Sequence, residues 1–128
     1  MKTLISGAVA ALIAASTAAL AMGPAKTMET SLGVVLVDAN GMTLYTFDKD
    51  TDGVSNCYDQ CAANWPPLMA ADGAMAEGEW TLVERKDGGM MWAYDGKPLY
   101  TWVKDTKPGD VTGDGVNSVW HAAKPDAM

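Results

Sequence analysis

Two cysteines, one histidine and a run of aspartates are the residues whose types and spacing could do chemistry. Asp48, Asp50, Asp52, Gly53 and Asp59 fall at positions 1, 3, 5, 6 and 12 of the calcium-loop pattern. There, alternate oxygens surround a hard cation and a glycine makes the sharp turn. The last position is Asp where Glu is usual, which shortens the reach for bidentate ligation, and Cys57 stands inside the same loop. A shorter Asp/Gly run from Asp110 to Gly115 hints at the same use. Cys57 and Cys61, with His121 and the methionine sulfurs, form a second ligand set, soft enough for Cu(I). No Met-x-Met or Met-x-x-Met cluster supports it, and Met42, Met90 and Met91 lie in strand patterns that read as core. Calcium and copper are the only cofactors these residues bring into view. No enzyme is expected. A single histidine, a cysteine pair that reads as a disulfide, and the absence of G-x-S-x-G, H-E-x-x-H and phosphate-binding glycine motifs leave no nucleophile set.

The remaining candidate is written twice. Tyr45, Phe47 and Asp50 recur, at one constant spacing, as Tyr100, Trp102 and Asp105, and Trp65 recurs as Trp120. Asn40-Gly41 and Asp95-Gly96 precede the two copies at the same distance. Such a repeat describes two related structural units. Strand alternation places Tyr45 with Phe47, and Tyr100 with Trp102, on one face. Each Asp stands at the start of a loop, where a carboxylate can accept backbone N–H bonds and hold the turn. The alternative use of the same residues is an aromatic and acidic groove for a small cationic or sugar ligand.

The elements that must position these residues follow from the local pattern. Residues 1–21 read as a signal peptide: Lys2 as the positive start, an Ala-rich apolar stretch, and Ala19-Leu20-Ala21 as the cleavage site, with the cut after Ala21. The exported chain then has no membrane span and is placed in the periplasm or outside the cell. Nine Lys and Arg against 16 Asp and Glu give a net charge of −7, which disfavours nucleic acid and anionic lipid as partners and leaves a small ligand or an envelope protein. In that oxidising setting Cys57 and Cys61 read as a bridge closing a short loop, worth about 2 kcal/mol on the chain-entropy view.

Residues 22–30 read as a flexible polar lead-in, and 31–128 as one β domain made of two repeats, about 33–69 and 88–124. Strands are expected over 32–37, 42–47, 80–85, 90–94, 97–103 and 116–123, separated by Gly-containing turns. Residues 57–64 are expected to be a short disulfide-bridged helix or loop with Asn56 as N-cap. It ends at Trp65-Pro66-Pro67 because proline cannot continue a helix. The fold class is therefore mainly β, an antiparallel two-repeat domain of hairpins.

The two Tyr-x-aromatic-x-x-Asp stretches stand beside Ser55-Asn56-Cys57-Tyr58, Cys61, Trp65-Pro66-Pro67-Leu68 and Lys107-Pro108-Gly109-Asp110. In this combination the chain resembles the bacterial secreted repeat family described as predicted lipoproteins with a conserved Yx(FWY)xxD motif. The resemblance spans nearly all of the chain after residue 21. It implies export and a repeat architecture, and it carries no assigned biochemical activity. Many relatives have a lipid-acceptor cysteine at the cleavage site. This chain has none there. The reading is an exported binding or structural module of the bacterial envelope, with periplasmic metal handling as the alternative.

Overall fold

The computed structural model describes residues 25–125; the expected signal peptide over 1–21 and the expected cut after Ala21 lie outside the described residues. Seven short strands make the frame: β1 (Lys26–Thr30), β2 (Gly33–Val37), β3 (Tyr45–Phe47), β4 (Trp80–Glu84), β5 (Met90–Tyr94), β6 (Lys97–Pro98) and β7 (Trp120–Ala122). One helical turn, α1 (Gln60–Asn64), and a 3-10 turn at Val116–Ser118 interrupt them. All strand pairs are antiparallel. The mainly β, two-repeat class expected from the sequence is the class observed.

Each repeat begins with a hairpin, β1–β2 and β4–β5. Residues 26–30 are thus a strand and not a flexible lead-in. They pair along their length with β2, Lys26 opposite Val37 and Thr30 opposite Gly33. The sequence Lys-Thr-Met-Glu-Thr hides this, because only Met28 reaches the core while the rest of an edge strand faces water. The second turn of each repeat differs in length. Asp95 (φ 53°) and Gly96 (φ 79°) are both left-handed, the two-residue turn that matches strand twist. At Asn40-Gly41 only Gly41 is left-handed (φ 86°), and Asp38 Oδ1 accepts the N–H groups of Asn40 (2.8 Å) and Met42 (3.0 Å). That loop is one residue longer, with a glycine bulge.

The closing segment of each repeat does not return to its own repeat. β7 runs beside β3, with Tyr45 opposite Ala122 and Phe47 opposite Trp120. In the mirror arrangement, Leu68 donates to Leu99 (2.9 Å) and Thr101 to Pro66 (2.8 Å), so the end of repeat one lies beside the middle of repeat two. Tyr45 and Tyr100 face each other where the halves meet and exchange both backbone bonds, at 2.7 and 3.0 Å. The two units are interlocked.

Side chains on the two faces of this seam fill separate cores. Tyr45, Trp65, Met91, Tyr100 and Trp120 anchor the larger, and Leu36, Leu44, Leu99 and Ala123 the smaller. This is why the strand at 42–47 carries bulk on both faces. Leu44 and Tyr45 are both fully buried.

Several expected elements are shorter than the sequence pattern: the expected strand over 42–47 is β3 preceded by an isolated bridge at Thr43. The expected strand over 97–103 is β6 followed by the Tyr100 bridges, and the expected strand over 116–123 starts as a 3-10 turn. The expected helix over 57–64 begins only at Gln60, and Asn56 is not its cap. Asn56 is already committed: its N–H goes to Asp50 (2.7 Å) and its amide to the Lys49 carbonyl (2.8 Å). The Cys57 carbonyl, which would open the helical ladder, is taken by Arg85 (2.9 Å). Cys57 and Cys61 are bridged across a Cα–Cα distance of 5.2 Å, with Cys57 ahead of the helix.

Gly113 packs directly against rigid aromatic rings. A Cβ there would stand 2.8 Å from Trp65 Cη2 and 2.9 Å from Tyr45 Cζ, both on stiff rings in the core. Gly113→Ala should therefore lower stability by about 1–3 kcal/mol, the usual range for overpacking. Urea unfolding checks this; Gly113 is not among the left-handed glycines, so the loss comes from the ring contacts and not from backbone strain.

Candidate functional site

The repeated tyrosines and aspartates form crosswise pairs. β3 turns Tyr45 into the core, and its hydroxyl donates to Asp105 of the other repeat at 2.6 Å. Tyr100 donates to Asp50 at 2.7 Å. Each aspartate also fastens its own loop. Asp50 accepts from the Asn56 N–H, and Asp105 from the N–H (3.0 Å) and hydroxyl (2.6 Å) of Thr112. The motif therefore ties a loop in one repeat to the tyrosine of the other. Burial pushes both phenols well above their ordinary range, with the neighbouring carboxylate adding to the shift in each. Burial also raises the Asp50 carboxyl above its usual value, against the opposing pull of Tyr100, the Asn56 N–H and Arg85.

Phe47 and Trp102 of the motif join Trp65 and Trp120, which occupy equivalent places in the two repeats, in one column. Phe47 stacks on Trp120 (4.2 Å), Trp120 on Trp65 (3.8 Å, 3° between planes) and Trp65 on Trp102 (3.9 Å). Tyr45 meets Trp65 edge-on at 5.4 Å, and Tyr100 meets Trp120 edge-on at 5.3 Å. Rings from the two repeats alternate in the column for the same reason that the strands do: each closing segment crosses over.

Arg85, which the sequence pattern left inside a strand, is a buried guanidinium at 3% exposure. It donates to Ser55 Oγ (3.1 Å) and the Cys57 carbonyl (2.9 Å), and forks onto Asp87 at 3.0 and 3.1 Å. Its guanidinium also lies over the Tyr58 ring at 4.3 Å. Ser55 in turn bonds the Tyr100 hydroxyl at 2.6 Å. Since Tyr100 gives its proton to Asp50, Ser55 is the donor of that bond. The only advance signal was an Arg beside an Asp-Gly turn, with nothing similar at Thr30, the matching place in the first repeat.

A groove of about 690 Å³ opens where β3, the 50–52 loop, the 94–97 turn and β7 meet. Phe47, Asp48, Asp52, Asp95 and His121 are among its lining residues. His121 Nε2 lies 2.8 Å from Asp48 Oδ2, both half-exposed. Asp50 lines the groove but turns its carboxylate to Tyr100.

Neither candidate ligand set forms a tight cluster among the described residues. Asp48, Asp50 and Asp52 line the groove, where Asp48 faces His121, Asp50 turns its carboxylate inward to Tyr100 and Asp52 lies against Gly96, while Asp59 precedes α1 outside it. Among the described residues no three His, Cys, Asp or Glu side chains form a group suited to a metal. Cys57 and Cys61 are a disulfide and offer no thiolate, and His121 is engaged by Asp48. Met91 is core at 0% exposure, whereas Met90 is exposed at 37%.

Residues 26–69 and 81–124 each match the family model of a secreted repeat of unknown function. The chain belongs to this secreted repeat family. Each match starts at the leading strand of its hairpin, ahead of the starts at 33 and 88 that the motif pattern marked. No curated protein and no solved structure matches the chain. Among the described residues no helix is long and apolar enough to cross a membrane.

In a double-mutant cycle, Tyr45→Phe with Asp105→Asn should show a coupling of about 1.5–3 kcal/mol, the range for hydrogen bonds to charged groups. Tyr45→Phe with Asp50→Asn, within one repeat, should be close to additive. Equal coupling in the two cycles would contradict the crosswise pairing. Asp50 gives a pH prediction. Its folded carboxyl titrates above its unfolded value of 3.8, so the folded state binds the proton better. That contribution is fully present below the unfolded value and lost as pH rises through the folded one. Wild type should gain stability relative to Asp50→Asn between pH 7 and pH 3, read by urea unfolding at both. A constant difference would refute it.

Proposed function

We propose that this chain is an exported binding module of the envelope, and that the groove at the seam receives a small cationic or polyhydroxylated ligand. The observation that carries this is the wall chemistry: Asp48, Asp52 and Asp95 line a volume of about 690 Å³ together with Phe47, and outnumber the lining lysines Lys97 and Lys124. That size is usual for small-molecule sites, and carboxylates beside an aromatic face suit an organic cation or the hydroxyls of a sugar. The net charge of −7 draws cations to the surface.

Calorimetric titration of the mature protein with putrescine, choline and glucose tests this. Saturable heat is expected with at least one, lost or weakened several-fold in Asp52→Asn/Asp95→Asn at unchanged melting temperature. Binding of an organic cation should also weaken with added salt. No heat and no thermal shift with all three would reject the reading, and a response to Ca²⁺ or Cu(I) in their place would turn it to metal handling.

A further inference from the structure

The aromatic column has a property that neither the repeat architecture nor the groove requires. Aromatic pairs that only fill space favour offset or edge-on contacts, with centroids about 4.5–7 Å apart. The three contacts here are shorter, 3.8–4.2 Å, with interplanar angles of 3–23°. Extensive face overlap opposes like quadrupoles, but it also couples π orbitals from ring to ring. Beside the two central tryptophans stand two fully buried tyrosines, each with its phenol proton on a carboxylate of the other repeat at 2.6 or 2.7 Å. A phenol with a ready proton acceptor loses an electron far more easily than a free phenol, because the radical forms without a cationic intermediate. At one end of the column Trp102 is only partly buried and within reach of a molecule in solution.

We propose that the protein is a one-electron donor, with Trp102, Trp65 and Trp120 as a relay and Tyr45 and Tyr100 as the final sites of oxidation. The oxidant is an outer-sphere, high-potential metal complex, cationic to suit the acidic surface. It takes one electron from Trp102. The vacancy moves to Trp65, in face contact with Trp102. Tyr45, edge-on to Trp65, then supplies the electron while its hydroxyl proton crosses to Asp105. The products are the oxidant reduced by one electron, a neutral tyrosyl radical and a neutral Asp105 acid, so charge and protons balance. Tyr100 does the same through Trp120, with Asp50 as acceptor. Trp102 is not among the groove residues, so this activity does not depend on a ligand there.

Photogenerated tris(bipyridine)ruthenium(III) is the probe, with transient absorption and rapid-freeze electron paramagnetic resonance as the readouts on the mature protein. A tryptophan radical should appear first and convert to a tyrosyl radical, the second step slowed in deuterium oxide. Tyr45→Phe/Tyr100→Phe keeps the rings and removes the protons, so the tryptophan radical should persist without conversion. Trp102→Phe should lower the tyrosyl yield several-fold. If wild type forms no tyrosyl radical, the proposal fails. It also fails if the yield is unchanged in Trp102→Phe, or if the double variant still forms the radical, which would then reside on Tyr58 or Tyr94. Should the double variant not fold by near-ultraviolet circular dichroism, the isotope effect and Trp102→Phe decide alone.

Discussion

Two phenol–carboxylate hydrogen bonds, Tyr45 to Asp105 and Tyr100 to Asp50, hold the two repeats in one register. Most of the structure depends on that exchange. A buried hydroxyl must find a partner, and a buried carboxylate must find donors, or each costs about 1–3 kcal/mol or more. Neither repeat can satisfy both needs alone, because its own aspartate is spent on its loop and on the other repeat's tyrosine. The backbone exchange at Tyr45 and Tyr100, the crossed closing segments and the alternating column of rings all follow from that mutual dependence. Among the described residues every buried side-chain nitrogen and oxygen has a hydrogen-bond partner, which is what a polar seam needs in order to stabilise rather than weaken a core.

On this nearly symmetric frame the differences between the repeats are local and concentrated. Tyr100 and Asp50 are supported by Ser55 and the Cys57–Cys61 loop of the first repeat together with Arg85, while Tyr45 and Asp105 have Thr112 and the Gly113 N–H. Arg85 comes from the second repeat and is spent on the first, joining the β4–β5 turn to the bridged loop. His121 stands where the first repeat has Pro66, and so puts an imidazole on the groove wall at only one of two equivalent places. The shared residues make the scaffold, and the unshared ones shape the accessible surface.

Much of the frame could be read in one dimension. Turn glycines, β-branched runs and the doubled motif report local preferences, and local preferences survive wherever the tertiary structure agrees with them. β5 lies where its pattern placed it, and the Asp95-Gly96 turn has the backbone its residues prefer. The misreadings have separate physical causes. The helix at 57–64 lost its first turn to Arg85, a partner from the other repeat, and to Asp50 in the loop just before it. The edge strand β1 was missed because one apolar residue in five leaves no alternation to see. The acidic loop matched a calcium pattern by spacing, yet its side chains point to different neighbours, since spacing along a chain does not set direction in space.

What the sequence alone determined is the repeat, its mainly β character, the paired cysteines and the identity of the residues that matter, Tyr45, Asp50, Trp65, Tyr100, Asp105 and Trp120. All of these rest on composition and short-range periodicity. What only the tertiary structure decided is which tyrosine meets which aspartate, that the tryptophans stack across the repeats, that Arg85 is buried, and where the groove opens. A repeat looks the same in one dimension whether its parts close on themselves or exchange with a neighbour, because both arrangements satisfy the same local patterns. The choice is made by the burial of polar groups that need partners from the other copy, and that requirement exists only once the two copies are packed together.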